Sequence, residues 1–268
     1  MSRIRKGFTL IEISIFLAVT GLLFAMVTIG VQNSIYQQRY NDTVQSFADF
    51  LRNIYSGVEN VQSLGDGRHD VAIYGKMVSF GQTMDLEGNA VESGQPIFVY
   101  DVIADATDAS EISSGNTLGQ LKALNANVVI KNEDKFELVG VIQEYTPKWS
   151  ARIQKTSDYK NYVGTILVVR NPSSGAIKTF VLDGETINVN ELLSGSENDA
   201  SLDVFNDGVD GNYLDRFVSE DVDFCVNPSG DEEDRNRVDV RLKEKANNSS
   251  GVEVISFDSE DNKCNKGE

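Results

Sequence analysis

One acidic side chain interrupts a long apolar run near the start of the chain. Between Phe8 and Val31, a stretch of 24 residues, Glu12 is the only charged residue. A carboxylate costs roughly 3 kcal/mol at the middle of a bilayer and less near its edge, so its presence needs a reason. The chemistry it offers is pairing with a cation where the dielectric constant is low and an unpaired charge is costly. Glu12 is therefore the first candidate functional residue.

The run around Glu12 predicts a helix long enough to cross a membrane. At 1.5 Å per residue it would extend over roughly 36 Å. Fourteen of its residues are Leu, Ile, Val or Phe, and these favour insertion by roughly 6 kcal/mol, which outweighs the cost of Glu12. The run is too long for the apolar part of an ordinary secretory signal. Arg3, Arg5 and Lys6 precede it and favour a cytoplasmic N-terminus.

The segment Lys6-Gly7-Phe8-Thr9-Leu10-Ile11-Glu12 resembles the processing site of type IV prepilins and of pseudopilins of type II secretion and competence machines. In that family a membrane prepilin peptidase cuts after the Gly and methylates the new N-terminal Phe, and the mature helix packs into a filament. The resemblance implies cleavage between Gly7 and Phe8 and N-methylation of Phe8. It also implies that Glu12 pairs with the α-amine of Phe8, within the chain or on a neighbouring subunit. The alternative is that Glu12 simply lies in the headgroup region of the membrane. The resemblance covers about the first 35 residues.

One position departs from the commoner pattern of major pilins. Many of them have Pro at about the twenty-second mature residue, where this chain has Ile29, and its first Pro is Pro96. The missing kink and the large head favour a minor subunit over a major one.

The patterns divide the chain into a leader (1–7), an N-terminal helix (8–64) and a globular β-rich head (65–268). The helix is expected to be transmembrane over 8–31 and amphipathic over 32–64, because apolar residues recur there at spacings of three and four. These residues are Tyr36, Tyr40, Val44, Phe47, Leu51, Ile54, Val58 and Val61. The predicted fold class is α+β: a long N-terminal helix, transmembrane in its first half, packed on a mostly antiparallel β-sheet head, as in pilins.

Within the head, the period of two predicts strands. Gly75-Lys76 is predicted to join Val71–Tyr74 and Met77–Phe80 as a hairpin, and a short helix is expected around Leu118 to Leu124. The other predicted strands are Ile97–Tyr100, Val128–Ile130, Phe136–Tyr145, Trp149–Ile153, Gly164–Val169, Ile177–Leu182, Val222–Val226, Arg237–Leu242 and Val252–Phe257.

The charge balance is strongly acidic. The net charge of −17 would become −20 after loss of the three basic leader residues, which argues against nucleic acid as a default partner. The basic and aromatic group from Lys148 to Arg152, with Lys155, is interpreted as an ordinary exposed strand. In the segment from Arg237 to Lys243, alternation places three apolar residues inward, so its charged residues are expected on a solvated face.

Two cysteines, Cys225 and Cys264, leave two possibilities: a disulfide or two free thiols. The leader charges place the head on the outer, oxidising side, which favours the disulfide and hence a C-terminal disulfide loop. Such a bridge would stabilise the head by about 4 kcal/mol in the chain-entropy model. Many pilins have a similar loop.

The sequence indicates no catalytic residue, no metal ligand and no cofactor site. His69 is the only histidine and has no nucleophile motif beside it. The stretch from Asp203 to Asp215 offers oxygen ligands of the kind that calcium prefers, but it matches no EF-hand loop. A solvated acidic loop is the favoured interpretation, and calcium binding is the alternative.

The expected function is that of a structural subunit of a type IV pilus or pseudopilus. Its expected partners are prepilin peptidase, the lipid bilayer before assembly, the pilus assembly machinery, and other pilin subunits through the N-terminal helix. The expected location is the cell membrane, with a single pass, a cytoplasmic N-terminus and an extracytoplasmic head, and then the surface filament. The alternative is a membrane-tethered extracellular adhesin or enzyme that does not polymerise.

Overall fold

The computed structural model describes residues 10–59, 71–81, 96–105, 116–124, 126–132, 135–138, 143–156, 160–187, 216–227 and 237–264. Within these residues the fold is α+β, with an N-terminal apolar helix and antiparallel sheets, which confirms the predicted class at that level. The chain separates into two compact units, residues 1–42 and 43–268.

The first helix, α1, runs from Leu10 to Glu59. The second helix, α2, is Thr117–Ala123, close to the short helix predicted there. The strands, in chain order, are β1 Val71–Phe80, β2 Ile97–Asp105, β3 Val129–Asn132, β4 Lys135–Leu138, β5 Gln143–Tyr145, β6 Arg152–Gln154, β7 Gly164–Arg170, β8 Ile177–Asp183, β9 Val222–Asn227, β10 Val238–Leu242 and β11 Val252–Ile255.

Helix α1 contains 50 residues, and both predicted ends of the helix, at 8 and 64, lie outside the described residues. From Thr43 onward, one face of α1 is buried in the head. The buried residues on that face include Val44, Phe47, Leu51, Ile54 and Val58. Because these recur at spacings of three and four, burial follows the apolar stripe that the sequence predicted.

The described strands form three antiparallel sheets. The largest has five strands in the order β5-β2-β1-β7-β8, the second has four in the order β11-β10-β9-β6, and β3 pairs with β4. The predicted strand Phe136–Tyr145 is wrong in one respect, because it contains two strands that belong to different sheets. Its first part, in β4, pairs with β3, whereas its last part, in β5, forms an edge of the five-stranded sheet.

The predicted hairpin at Gly75-Lys76 is also wrong, since β1 continues through these residues as one central strand. Its pairing with β2 skips one residue between Ile73 and Gly75, which is a β-bulge. A Cβ on Gly75 would lie 2.5 Å from the carbonyl oxygen of Val168 on β7. A glycine is therefore needed at position 75 because β1 and β7 approach each other closely, and not because the chain turns there. The bulge also keeps Tyr74 and Met77 in one apolar cluster, although they are three residues apart.

An aromatic cluster joins α1 to both larger sheets. The ring of Phe47 on α1 lies 5.5 Å from that of Phe224 on β9 and 6.5 Å from that of Phe80 on β1. Phe224 in turn lies 5.2 Å from Phe80 and 4.8 Å from Tyr162. These rings are buried, so they hold the helix and the two sheets around one core.

A second cluster includes α2 and residues of the five-stranded sheet. Leu118, Leu121 and Leu124 bury their side chains together with Phe98 and Tyr100 of β2. Asn116 caps α2, its side chain accepting a hydrogen bond from the backbone nitrogen of Gly119 at 2.7 Å. Among the described residues, the apolar packing of the head thus includes a group around Phe47 and a group around α2.

Candidate assembly site

The predicted processing site lies outside the described residues. Gly7 and Phe8 precede Leu10, the first residue that the structure describes. Cleavage between them and methylation of Phe8 therefore stay predictions. The predicted assembly residue Glu12 is described, and it lies in the first turn of α1. A carboxylate there is stabilised by the positive end of the helix dipole, typically by about 0.3–1 kcal/mol.

The segment Leu10–Thr28 of α1 is long and apolar enough to cross a membrane. It has 19 residues and a mean hydropathy of 2.4, and none of it is buried within the protein. A membrane anchor and a signal sequence both meet these criteria. The exposed large apolar residues are Leu10, Ile11, Ile13, Ile15, Phe16, Leu17, Val19, Leu22, Leu23, Phe24, Met26 and Val27. Exposed apolar surface on this scale is typical of a site that contacts lipid or another protein.

The hydroxyl groups in this segment form hydrogen bonds within the helix. Ser14 donates to the carbonyl oxygen of Leu10 at 2.9 Å, and Thr20 donates to that of Phe16 at 2.6 Å. Thr28 makes the same contact four residues back, at 2.8 Å. Because these donors need no water, they do not oppose transfer of the segment into an apolar environment.

The expected disulfide is present in the head. Cys225 on β9 is bonded to Cys264, with 39 residues of sequence separation and a Cα–Cα distance of 5.4 Å. Both cysteines are buried. The bridge therefore attaches the segment that follows β11 to β9, one of the two middle strands of the four-stranded sheet. This agrees with the predicted C-terminal disulfide loop.

The predicted solvated face of β10 is wrong. Val238, Val240 and Leu242 are buried as expected, but Asp239 is also fully buried. The C-terminal segment covers the polar side of the strand, because the backbone nitrogen of Lys263 donates to Asp239 and Arg241 donates to the carbonyl oxygen of Asp261. Alternation correctly separated the two faces of β10 but could not show what covers the polar one.

Hydrogen bonds and ion pairs connect this covered face to the C-terminal segment. The guanidinium of Arg241 contacts the carboxylates of Asp223 and Asp239, the latter at 3.0 Å. The ammonium of Lys263 contacts Asp223 at 2.6 Å. Arg237 donates to the carbonyl oxygen of Cys264. In the sequence, the one indication of this network is that polar residues lie beside Cys264. The disulfide holds those polar residues against the strand that contains Cys225.

Burial raises the pKa of Asp239 to about 6, and the nearby carboxylate of Asp223 contributes to the increase. The hydrogen bond from Lys263 and the charge of Arg241 act in the opposite direction. Asp239 Oδ1 has no hydrogen-bond partner among the described residues. The protonated carboxyl is therefore favoured here more than in water. Asp223 and Asp239 raise the pKa of Arg241, although desolvation alone would lower it.

The basic and aromatic group around Trp149 is not a strand, which corrects the predicted one. Lys148–Ser150 form a single turn of 3-10 helix with Trp149 at φ 60°, and β6 begins only at Arg152. Pro147 precedes the turn and cannot donate a ladder hydrogen bond. The hydroxyl of Thr43 donates to the carbonyl oxygen of Lys148 at 3.4 Å. Trp149 remains 52% exposed, as the expectation of a surface residue implied.

An acidic cleft of about 120 Å³ lies beside β8 and β9. Its lining includes Tyr162, Lys155, Asp183 and Glu220, and Lys155 pairs with Asp183 at 2.9 Å. Burial raises the pKa of Tyr162, with the carboxylates of Asp183 and Glu220 adding to the effect. In the described ranges, no group of three or more His, Cys, Asp or Glu residues is arranged to hold a metal ion. His69 and the possible calcium loop from Asp203 to Asp215 lie outside those ranges.

Comparisons of the chain with models of known protein families, with characterised proteins and with solved structures find no match.

Proposed function

We propose that this chain is a structural subunit of a type IV pilus or a related pseudopilus, in a minor role more than a major one. In this proposal prepilin peptidase cuts after Gly7 and methylates Phe8, and the assembly machinery then extracts the subunit from the membrane. The observation that carries the proposal is the apolar segment Leu10–Thr28 of α1, which has Glu12 in its first turn.

The exposed apolar segment supports the proposal that the helix moves from one apolar environment, the lipid bilayer, to another, the filament. Before assembly, lipid covers these side chains, since a helical segment of 19 mostly apolar residues matches the thickness of a bilayer. In a filament, the helices of neighbouring subunits replace the lipid. The internally bonded hydroxyls of Ser14, Thr20 and Thr28 suit both environments, because neither one needs to supply them with a hydrogen-bond partner.

When the helix moves from lipid into the filament, Glu12 favours one position of the incoming subunit along the filament axis. Cleavage creates an α-amine on Phe8, four residues before Glu12, and residues four apart lie on the same side of a helix. In the proposed docking step, the carboxylate of Glu12 pairs instead with the amine of a neighbouring subunit. A charge pair that forms in low dielectric favours the one axial position at which both groups meet.

The disulfide supports an extracytoplasmic head. Bridges such as Cys225–Cys264 persist in oxidising compartments and are rare in the cytosol. Together with Arg3, Arg5 and Lys6 before the apolar segment, it favours a single pass with the N-terminus in the cytoplasm.

The test is peptide mass mapping of the native protein from its own cells. We expect the N-terminal peptide to begin at Phe8 and to carry one methyl group. The same preparation should contain filaments that an antibody against the head labels by immunogold. An intact leader in cells that process other prepilins would overturn the proposal and would favour the membrane-tethered adhesin or enzyme.

A further inference from the structure

Three segments of the chain have the acceptor pattern for N-linked glycosylation, Asn-x-Ser/Thr with x other than Pro. They are Asn41-Asp42-Thr43, Asn247-Asn248-Ser249 and Asn248-Ser249-Ser250. Sequence alone ranks them equally. Transfer requires that the side-chain amide be accessible and that the hydroxyl two residues later be available for recognition, so the structure can separate them.

The first of these segments does not meet those requirements in the folded chain. Asn41 and Thr43 both lie in helix α1. Thr43 is fully buried, and its hydroxyl donates to the carbonyl oxygen of Lys148. A transferase would have to unwind the helix and expose Thr43 before it could use Asn41.

The other two segments lie at an exposed tip between β10 and β11. Four successive residues, 247–250, are exposed, and the backbone of Asn248 is fully extended. The tip is held from beneath by Ala246, which is buried against Gly251. The carbonyl oxygen of Ala246 accepts a hydrogen bond from Thr179 on β8 at 3.2 Å. The loop is thus fixed at its base and presents its polar side chains outward.

Hydrogen bonds distinguish the two overlapping patterns. The side-chain oxygen of Asn248 accepts from the backbone nitrogen of Ser250 at 2.9 Å and from its hydroxyl at 2.6 Å. Asn248 and Ser250 are therefore engaged with each other as a cap. In the part of the chain that the structure describes, the side chains of Asn247 and Ser249 make no hydrogen bond, so both are available to an enzyme.

We propose that Asn247 is an N-glycosylation site, modified by a transferase that uses an oligosaccharide linked to a lipid diphosphate. The side-chain nitrogen of Asn247 bonds to the anomeric carbon of the first sugar. The bond from that carbon to the diphosphate oxygen breaks, the lipid diphosphate leaves with the electron pair, and the amide nitrogen loses a proton. The site rests on the extracytoplasmic head of the proposed function, since such transfer takes place on the outer side of the membrane.

The test maps the native full-length protein with trypsin and fragmentation mass spectrometry. The peptide 246–263 contains Asn247 and Asn248 but no cysteine, and fragment ions assign a glycan to one asparagine or the other. We expect a glycan on Asn247. An unmodified Asn247, or a glycan on Asn41 or Asn248 in its place, would overturn the inference. The N-terminal peptide from the same digest reports leader removal separately, so either proposal can fail while the other stands.

Two serine variants form a matched pair for this test. Ser249→Ala destroys the acceptor pattern of Asn247 but keeps that of Asn248, which depends on Ser250, whereas Ser250→Ala does the opposite. We expect Ser249→Ala to abolish the modification and Ser250→Ala to retain it, because only the first removes the hydroxyl that serves Asn247. The reverse result would assign the site to Asn248 and would overturn the inference.

Discussion

At the scale of single residues, protonation of Asp239 makes the stability of the head depend on pH. Its folded pKa of about 6 lies above the ordinary value of 3.8, so the folded chain binds this proton more tightly than the unfolded chain. The resulting contribution to stability is complete below about pH 4 and is lost as the pH rises through 6.

We predict that Asp239→Asn removes this part of the pH dependence, since an amide does not titrate. Urea unfolding at several pH values between about 4 and 7 measures the effect. The wild-type free energy of unfolding should contain a component that falls over this range, and the variant should lack it. Asp258→Asn is the control, because Asp258 is exposed. If the Asp239 variant had the wild-type pH profile, the inferred proton on Asp239 would be wrong.

Glu12 is the second single residue with a testable role. We expect this role to matter in filament assembly and not in membrane insertion. We predict that Glu12→Gln leaves membrane insertion unchanged, since removing a charge from an apolar segment does not oppose it. Incorporation into filaments should fall at least about tenfold, which corresponds to roughly 1.4 kcal/mol of lost pairing. Membrane fractionation and immunogold counts measure the two steps separately.

The matched control for Glu12 is Ser14→Ala, two residues away in the same segment. The hydroxyl of Ser14 donates to its own helix, so its loss should change neither insertion nor incorporation. Normal incorporation of the Glu12 variant would contradict the docking role.

At the scale of elements, Gly75 shows why a local turn signal failed. Glycine beside lysine between two apolar runs is typical of a hairpin, yet β1 passes straight through. The space at Gly75 is limited by backbone atoms of β7, a strand that comes much later in the sequence. No pattern within β1 contains that information.

We predict that Gly75→Ala destabilises the head by roughly 1–3 kcal/mol, the usual range for overpacking. Its methyl group would meet the carbonyl oxygen of Val168 at 2.5 Å, and a main-chain atom cannot move aside as a flexible side chain can. Chemical denaturation compares it with Lys178→Ala, an exposed position on β8 that should stay within about 0.5 kcal/mol of wild type. Equal stability of the two variants would show that the sheet adapts.

At the scale of the whole molecule, the disulfide determines whether the C-terminal segment stays on the four-stranded sheet. That segment covers Asp239 and Arg241, so releasing it would expose a buried charge network as well as lengthen the free chain. We predict that the double variant Cys225→Ser and Cys264→Ser loses about 4 kcal/mol of stability, the chain-entropy value for a loop of this length. Thermal and urea unfolding of both proteins measure the difference.

Reductant provides the control for that variant. Wild-type protein should lose similar stability under reducing conditions, whereas the double variant should not respond. A denatured wild-type sample should show two reactive thiols only after reduction. Two thiols without reductant would contradict the bridge.

The sequence by itself determined the features that depend on neighbours along the chain. The apolar segment, the buried stripe of α1 and most strands follow from local periodicity, because a helix or strand repeats its faces at a known interval. The disulfide followed from cysteine count and compartment. Each of these is a property that composition or a short window of sequence contains.

Only the tertiary structure decided what lies against each face. It made Gly75 a close contact, placed Asp239 beneath a distant segment, and left Asn247 exposed while burying Thr43. The physical reason is the same in each case. Periodicity shows which side of an element is polar, but the atoms that cover that side come from parts of the chain that only folding brings together.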